Sequence, residues 1–364
     1  MFNQQKVAYL AGLLAGADPR FDGAGFTRDV MAELLSLELK QRIDLIARVL
    51  AVYLPDDFDD AVAVILRALP PELDPLKTDD DFGDFIFAPF GEFVSSHGLG
   101  HFDRSMEAIC ALTKRFSMEF TLRPFLNAHE ARVVAVLAEW AVDGNYHLRR
   151  LVSEGTRPRL PWGKKVGLAY GAPLPLLDQL YCDPTRYVTR SVANHLNDIA
   201  KLDAGLVVET LARWQREGRQ EPREMDWIIR HALRTLIKQG DPQAMALLGY
   251  VPDPPITLSA VRVTPPSIAF GEAFEFEMTV TASAPAQLLV DYAIGFVKAD
   301  GQRKPKVFKL KQLALKAGET VVLRKRHRLK ADATTYRLYA GEHAVLVQIN
   351  GVERGAGCFD LTAP

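Results

Sequence analysis

Three cysteines in 364 residues, Cys110, Cys182 and Cys358, are odd in number and far apart. With no paired or metal-ligand spacing among them, they argue against a disulfide framework or a zinc site and fit a reducing compartment. The chain also lacks a glycine-rich phosphate loop, a dinucleotide fingerprint, HExxH and GxSxG. That argues against nucleotide-dependent, zinc-protease and serine-hydrolase chemistry, so no metal, nucleotide or other cofactor is expected. No apolar run approaches the roughly 20 residues of a membrane span, and no membrane partner is expected. Lys6 and the apolar stretch from Val7 to Ala17 faintly resemble a signal peptide, but a basic leader segment is missing. An amphipathic first helix, ended by Gly16 and Pro19, is expected instead, in a cytoplasmic protein.

Charge of one sign is scarce overall, with a formal net of −1, but it is unevenly spread. Residues 1–100 hold 8 Lys/Arg against 17 Asp/Glu, a net of −9. Residues 101–250 hold 21 against 17 and residues 251–364 hold 15 against 11, each a net of +4. Basic charge in the last two-thirds suits a polyanion partner, because neutralised phosphates release counterions. The apolar fraction of 48% is that of an ordinary globular protein, and the length points to two domains.

From residue 28 to 248 the apolar spacing is helical, as in Leu34, Leu35, Ile43, Ile46, Val49, Leu50 and Leu54. The acidic segment Asp79–Asp84 breaks it and is expected to open a loop carrying aromatics through Phe90. Tyr146-His-Leu-Arg149, Tyr187-Val-Thr-Arg190 and Trp227-Ile-Ile-Arg230 then recur at intervals of 41 and 40 residues. A helix-pair period near 40 belongs to HEAT-like solenoids. Gly249-Tyr-Val-Pro-Asp-Pro-Pro255 is a stiff break, after which the period alternates: 259–264, 274–280, 287–292, 321–326 and 343–349 read as strands. The expected fold class is therefore α + β in two domains. An all-α HEAT-like helical solenoid spans 1–248, a proline-rich linker 249–255, and an all-β immunoglobulin-like sandwich 256–364.

Four polar constellations could carry chemistry. In Ser153-Glu154-Gly-Thr-Arg157-Pro-Arg159-Leu-Pro-Trp162, Glu154 lies near the C-terminal end of a helix, where the macrodipole disfavours a carboxylate. Gly155 and Pro158 stop that helix, and Arg157, Arg159 and Trp162 follow on a loop; a solvated capping loop is the plain alternative. Glu119 and Arg123 are spaced to pair on one helical face, with Pro124 expected to leave Glu119 in the helix's last turns; a surface salt bridge reads equally well. Asn194, Asn197, Asp198 and Lys201 form a polar stripe suited to phosphates, whereas His195 has no nucleophile beside it and reads as structural. Residues 303–330 hold eleven Lys/Arg and one acid, Glu319. Lys309 with Lys311, and Arg324 with Arg326 and Arg328, would form basic rows for phosphates, or else protect a sheet edge.

Several motifs occur in an order that resembles a known family. They are Pro19-Arg-Phe-Asp22, Leu37-Glu-Leu-Lys40-Gln-Arg-Ile, Ser95-Ser-His-Gly98 with Phe102-Asp-Arg-Ser105, and Thr113-Lys-Arg-Phe with Glu119-Phe-Thr-Leu-Arg123-Pro-Phe-Leu. Ser153 to Trp162 and Ser191-Val-Ala-Asn194-His-Leu-Asn-Asp198 complete the series. Together, over about residues 15–248, they resemble the AlkC-type branch of bacterial HEAT-like DNA alkylation-repair glycosylases, some of which carry an appended immunoglobulin-like domain. Met118 and Thr121-Leu122 around Glu119 depart from the family's pattern, which leaves the carboxylate itself intact.

The resemblance implies a monofunctional glycosylase that releases N3-methylated bases, 3-methyladenine and 3-methylcytosine, from duplex DNA without flipping them into a deep pocket. Glu154 and Glu119, with Asp198 ranked lower, are the catalytic candidates, and Trp162 is expected against the lesion's deoxyribose. Arg123, Arg157, Arg159, Arg190, Asn194, Asn197, Lys201, Arg230 and the two basic rows are expected on DNA. A monomer suffices to hold one duplex. The rival reading is a non-enzymatic HEAT-like scaffold for DNA or an acidic partner; RNA fits less well, since no aromatic stacking motif is present.

Overall fold

The computed structural model describes residues 2–75, 82–298, 302–330 and 337–363. The acids Asp79 to Asp81 lie outside the described residues. The helices are α1 (Gln4–Ala17), α2 (Gly23–Glu33), α3 (Leu39–Tyr53), α4 (Phe58–Ala68), α5 (Ala88–His97), α6 (Phe102–Thr113), α7 (Glu119–Ala128) and α8 (Glu130–Trp140). There follow α9 (Tyr146–Gly155), α10 (Leu174–Leu180), α11 (Arg186–Ile199), α12 (Ala204–Glu217), α13 (Pro222–Ala232), α14 (Arg234–Gln239) and α15 (Pro242–Leu247). None is long and apolar enough to cross a membrane.

The starts follow local chemistry. Asn3, Asp22, Asp57, Asn145 and Asp241 each accept a backbone N–H of the first turn, and Glu38 with Gln41 makes a capping box. The expected first helix is α1. The aromatics expected on a loop are instead in regular structure: Phe85–Phe87 form a 3-10 turn running into α5, which carries Phe90.

Contacts divide the chain into two compact units, Met1–Asp203 with Arg213–Ala232, and Ala204–Ala212 with Leu233–Pro364. In the first unit, α9 packs on α11 and α11 on α13, so the helices carrying the repeated aromatic motif are neighbours, although Trp227 lies within α13 rather than at its start. Tyr146 and Tyr187 meet edge to face at 5.7 Å. The repeated arginine does not repeat its role: Arg149 binds the Asp183 carboxylate and the carbonyl of Asp143, whereas Arg230 lies 3.4 Å from Asp226 on its own helix.

One close approach sets the start of α7. A Cβ on Gly91 of α5 would lie 2.3 Å from the Thr121 hydroxyl and 2.5 Å from the Met118 sulfur. Gly91→Ala is therefore expected to lower stability by about 1–3 kcal/mol through overpacking, read as a fall in thermal midpoint.

The β domain is a sandwich. Strands β1 (Ile256–Leu258), β2 (Arg262–Thr264), β4 (Ala273–Ala282) and β7 (Thr320–Arg328) form one sheet centred on β4. The other has the order β3-β9-β8-β5-β6, with β3 (Ser267–Ala269), β5 (Ala286–Val297), β6 (Arg303–Leu315), β8 (Gly341–Ile349) and β9 (Val352–Thr362). Phe274, Phe276, Val280, Tyr292, Val345 and Phe359 fill the space between them. Within the same unit, Met245, Tyr250 and Leu289 make a second small apolar cluster.

Candidate active site

Glu154 lies in the last turn of α9, as its sequence position predicts, and is only 6% exposed. The helix end beneath it is fully occupied. Arg123 donates one nitrogen to the carbonyls of Gly155 and Arg157, both at 2.9 Å, and His195 lies 2.9 Å from that of Ser153. The Thr156 hydroxyl takes the carbonyl of Val152 at 2.7 Å. These partners satisfy carbonyls that would otherwise project negative potential at the carboxylate.

The carboxylate is itself clamped. Arg157 donates to Oε1 at 2.6 Å, the Ser191 hydroxyl to Oε2 at 2.6 Å, and Arg150 stands 3.7 Å from Oε2. Burial alone would raise its pKa, but Arg150, Arg157 and the Ser191 hydroxyl together hold it below the ordinary glutamate value. Glu154 is therefore ionised at neutral pH.

Arg150 is the hub. It reaches Glu119 at 3.3 Å, the Ser117 hydroxyl at 2.6 Å, and lies over the Tyr187 ring with its guanidinium carbon 4.8 Å from the centroid. Burial opposes its charge, but Glu154 and then Glu119 raise its pKa above the ordinary value. Glu119 and Glu154 thus meet at one guanidinium. Asp198, 2% exposed, accepts from Arg157 at 2.8 and 2.9 Å and from Lys201 at 3.0 Å.

Several sequence expectations change here. Glu119 is the first residue of α7, not in its last turns, because α6 ends at Thr113 and Pro124 is accommodated inside the new helix. It turns to Arg150 rather than Arg123. Arg123 is 1% exposed with its donors spent on backbone carbonyls, and burial followed by the nearby Arg157 pushes its pKa down to about 10. It is a helix-end clamp, not a phosphate contact. Arg157, 8% exposed, is likewise consumed between Glu154 and Asp198.

The stripe on α11 is also divided. Asn197 is buried and donates to the Ala232 carbonyl at 2.7 Å, while Asn194 meets His231 at 2.9 Å. His195 is structural as expected: wholly buried, with burial lowering its pKa to about 4.

Trp162 and Arg159 remain at the surface, the indole 69% exposed. Trp162 has φ +64°, a left-handed conformation that costs a non-glycine residue about 1–2 kcal/mol. Its loop is held by Lys40 on the Trp162 carbonyl, Arg123 on that of Lys164, and Asn127 on that of Lys165. A small cavity of about 90 Å³, lined by Glu154, Arg150, Tyr187, Arg190, Ser191 and Asn194 among others, opens above the carboxylate. In the β domain, Arg324 pairs with Glu277 at 2.8 Å and Arg326 stands opposite Glu275, while Arg328 bonds the Gly271 carbonyl. Lys309 and Lys311 are exposed on the edge strand β6.

Comparison with known proteins gives this geometry a context. Residues 257–363 match the family described as the C-terminal Ig-like domain of the uncharacterised protein YhaZ. YhaZ of Bacillus subtilis is 35% identical over 355 residues, 96% of this chain and 95% of that one. The alkylpurine DNA glycosylase AlkC of Pseudomonas fluorescens, solved bound to DNA containing an abasic-site analogue, is 35% identical. It covers 99% of this chain and 98% of its own, with a TM-score of 0.87.

The chain belongs to the AlkC family.

Both domains, helical and immunoglobulin-like, are part of that family likeness. Within this family member, sequence reasoning missed Arg150 and Ser191 as partners of the carboxylates, and Ser117 and Tyr187 as partners of Arg150. One signal was available: Arg150 and Glu154 are four residues apart on one helix, the spacing of an ion pair.

Proposed function

We propose that the chain is a monofunctional DNA glycosylase that hydrolyses the N-glycosidic bond of cationic N3-alkylated bases, 3-methyladenine and 3-methylcytosine, in duplex DNA. The observation carrying this reading is a carboxylate, Glu154, kept ionised at the floor of a small cavity and joined to Glu119 through Arg150. Kinship with a protein solved on abasic DNA supports the choice of substrate polymer.

The chemistry follows from charge. An N3-alkylated base already carries the positive charge that a general acid would otherwise supply, so it departs without protonation. The remaining demand is to stabilise cationic character on the sugar and to admit water, tasks for an ionised carboxylate. Glu154 suits the first and Glu119, its side chain 14% exposed at a helix N-terminus, the second; Asp198 acts on Glu154 through Arg157. The described residues around the small cavity include no lysine, which favours water over an amine nucleophile. A cavity of about 90 Å³ is too small to enclose a nucleoside, in keeping with recognition without deep flipping. Trp162 would meet the deoxyribose, with Arg159 and Arg190 on flanking phosphates.

The test is chromatographic detection of free base from methylated duplex DNA. Release of 3-methyladenine, leaving abasic sites without strand cleavage, is expected; tight, salt-sensitive duplex binding with no released base would turn the reading to a scaffold. The β domain is proposed to clamp the duplex through Lys309 and Lys311, both exposed on the edge strand β6, where Lys309 stands opposite Asp291 as Arg324 and Arg326 stand opposite Glu277 and Glu275. Charge reversal at both lysines is expected to weaken duplex affinity and lower the slope of log affinity against log salt by about 1–2. An unchanged slope would remove the clamp.

A further inference from the structure

A larger cavity of about 310 Å³ includes in its lining Ser117, the hydrogen-bond partner of Arg150. Phe85, Phe116, Phe120 and Trp162 supply its aromatic walls. Its charged lining consists of two carboxylates, Asp44 and Glu92, and two lysines, Lys40 and Lys164, which sum to zero. Ser117 belongs both to this lining and to the carboxylate cluster, because its hydroxyl accepts from Arg150 at 2.6 Å while Arg150 reaches Glu119. We propose that this cavity binds the released base, a neutral planar N-alkylated purine, beside the site of its cleavage; the assignment rests on the proposed glycosylase reading.

The argument is one of size, shape and charge. A cavity of this volume is at the lower bound for small-molecule sites, and flat aromatic walls suit a flat heterocycle. When the glycosidic bond breaks heterolytically, its electron pair stays on the base nitrogen, so the cationic base becomes neutral as it leaves. A lining with balanced charges gives no net Coulombic preference to a cation or an anion. It offers donors and acceptors to the ring edge of a neutral purine instead. The small cavity above Glu154 has the opposite character, with an ionised carboxylate facing the cationic reactant. Reactant and product are thereby assigned to two cavities linked by the Arg150–Ser117 contact, and Trp162, proposed against the deoxyribose, lines the second.

Free 3-methyladenine is the probe, titrated by calorimetry into the full-length protein without DNA. Saturable one-to-one binding is expected in wild type. Ile43→Trp, which projects an indole into the cavity from α3, should weaken it by at least about tenfold, and Phe120→Ala, which removes a wall, should weaken it independently. Absence of saturable binding to folded wild type overturns the proposal, as does binding unchanged in both variants. Base release from methylated duplex is measured on the same proteins. Release without free-base binding removes the product site and leaves the glycosylase reading; binding without release supports a purine site and removes that reading.

Discussion

Glu154→Gln binds methylated duplex DNA as wild type does but releases free base about 10²–10³-fold more slowly, the usual effect of losing one aligned electrostatic partner of a transition state. Glutamine keeps the shape, so Ser191 still has an oxygen to bond, but it supplies no negative charge to a sugar becoming cationic. The fold should survive. Arg157 keeps Asp198, and Arg150 keeps Glu119 and Ser117, so a stability loss of roughly 1–3 kcal/mol is expected. The experiment pairs single-turnover base release with an equilibrium binding curve. Equal rates for variant and wild type would strip Glu154 of its catalytic role, and a parallel loss of affinity would make it a binding residue instead.

Arg157→Ala should damage the fold more than the chemistry. It leaves Glu154 and Asp198 in the interior without their shared cation, and removing one partner of a buried ion pair costs about 3–5 kcal/mol. For a domain of this size that is a fall in thermal midpoint of roughly ten degrees. The loss should also depend on pH with a definite sign. In wild type the folded-state pKa of Glu154 lies below its unfolded value. Its stabilisation is therefore present above the unfolded pKa of about 4.3 and disappears as pH falls through the folded one. In the variant, burial with less compensation favours protonated Glu154, so acid relieves part of the defect. The gap between the two melting temperatures should narrow from pH 7 toward pH 4. A gap that is small at pH 7, or constant with pH, would contradict the clamp.

Much of the architecture was legible because periodicity changes visibly at the proline break. The repeated aromatic openings at 146 and 187 fall at the starts of α9 and α11, whereas Trp227 lies in the middle of α13, which begins five residues earlier at Pro222. Strand β9 was missed for a physical reason. Its sequence, Val352-Glu-Arg-Gly-Ala-Gly-Cys, has little apolar alternation because Gly355 and Gly357 leave room for Leu258, Val261 and Val263. The segment 259–264, read as one strand, is β2 with an irregular approach.

At the site, the motifs located both glutamates, but spacing alone misplaced Glu119. Apolar positions run on from α6 into α7, and nothing in their period reveals the break at Lys114–Met118. The arginines were harder still. A guanidinium reads the same whether it meets a phosphate or a buried carbonyl, and only the packed structure gives Arg123 and Arg157 to the interior. What could have been reckoned is the need of Glu154 and Asp198 for nearby cations once they are buried.

The clamp has an electrical consequence. Glu119, Glu154 and Asp198 against Arg150, Arg157 and Lys201 form a set of ion pairs with no formal charge of its own. A phosphate backbone approaching it is not turned away by three acids, because from a distance their field cancels. Within a few ångströms the cancellation fails and the nearest carboxylate dominates. The protein can thus hold negative groups against a polyanion, hidden at long range and felt only at close approach.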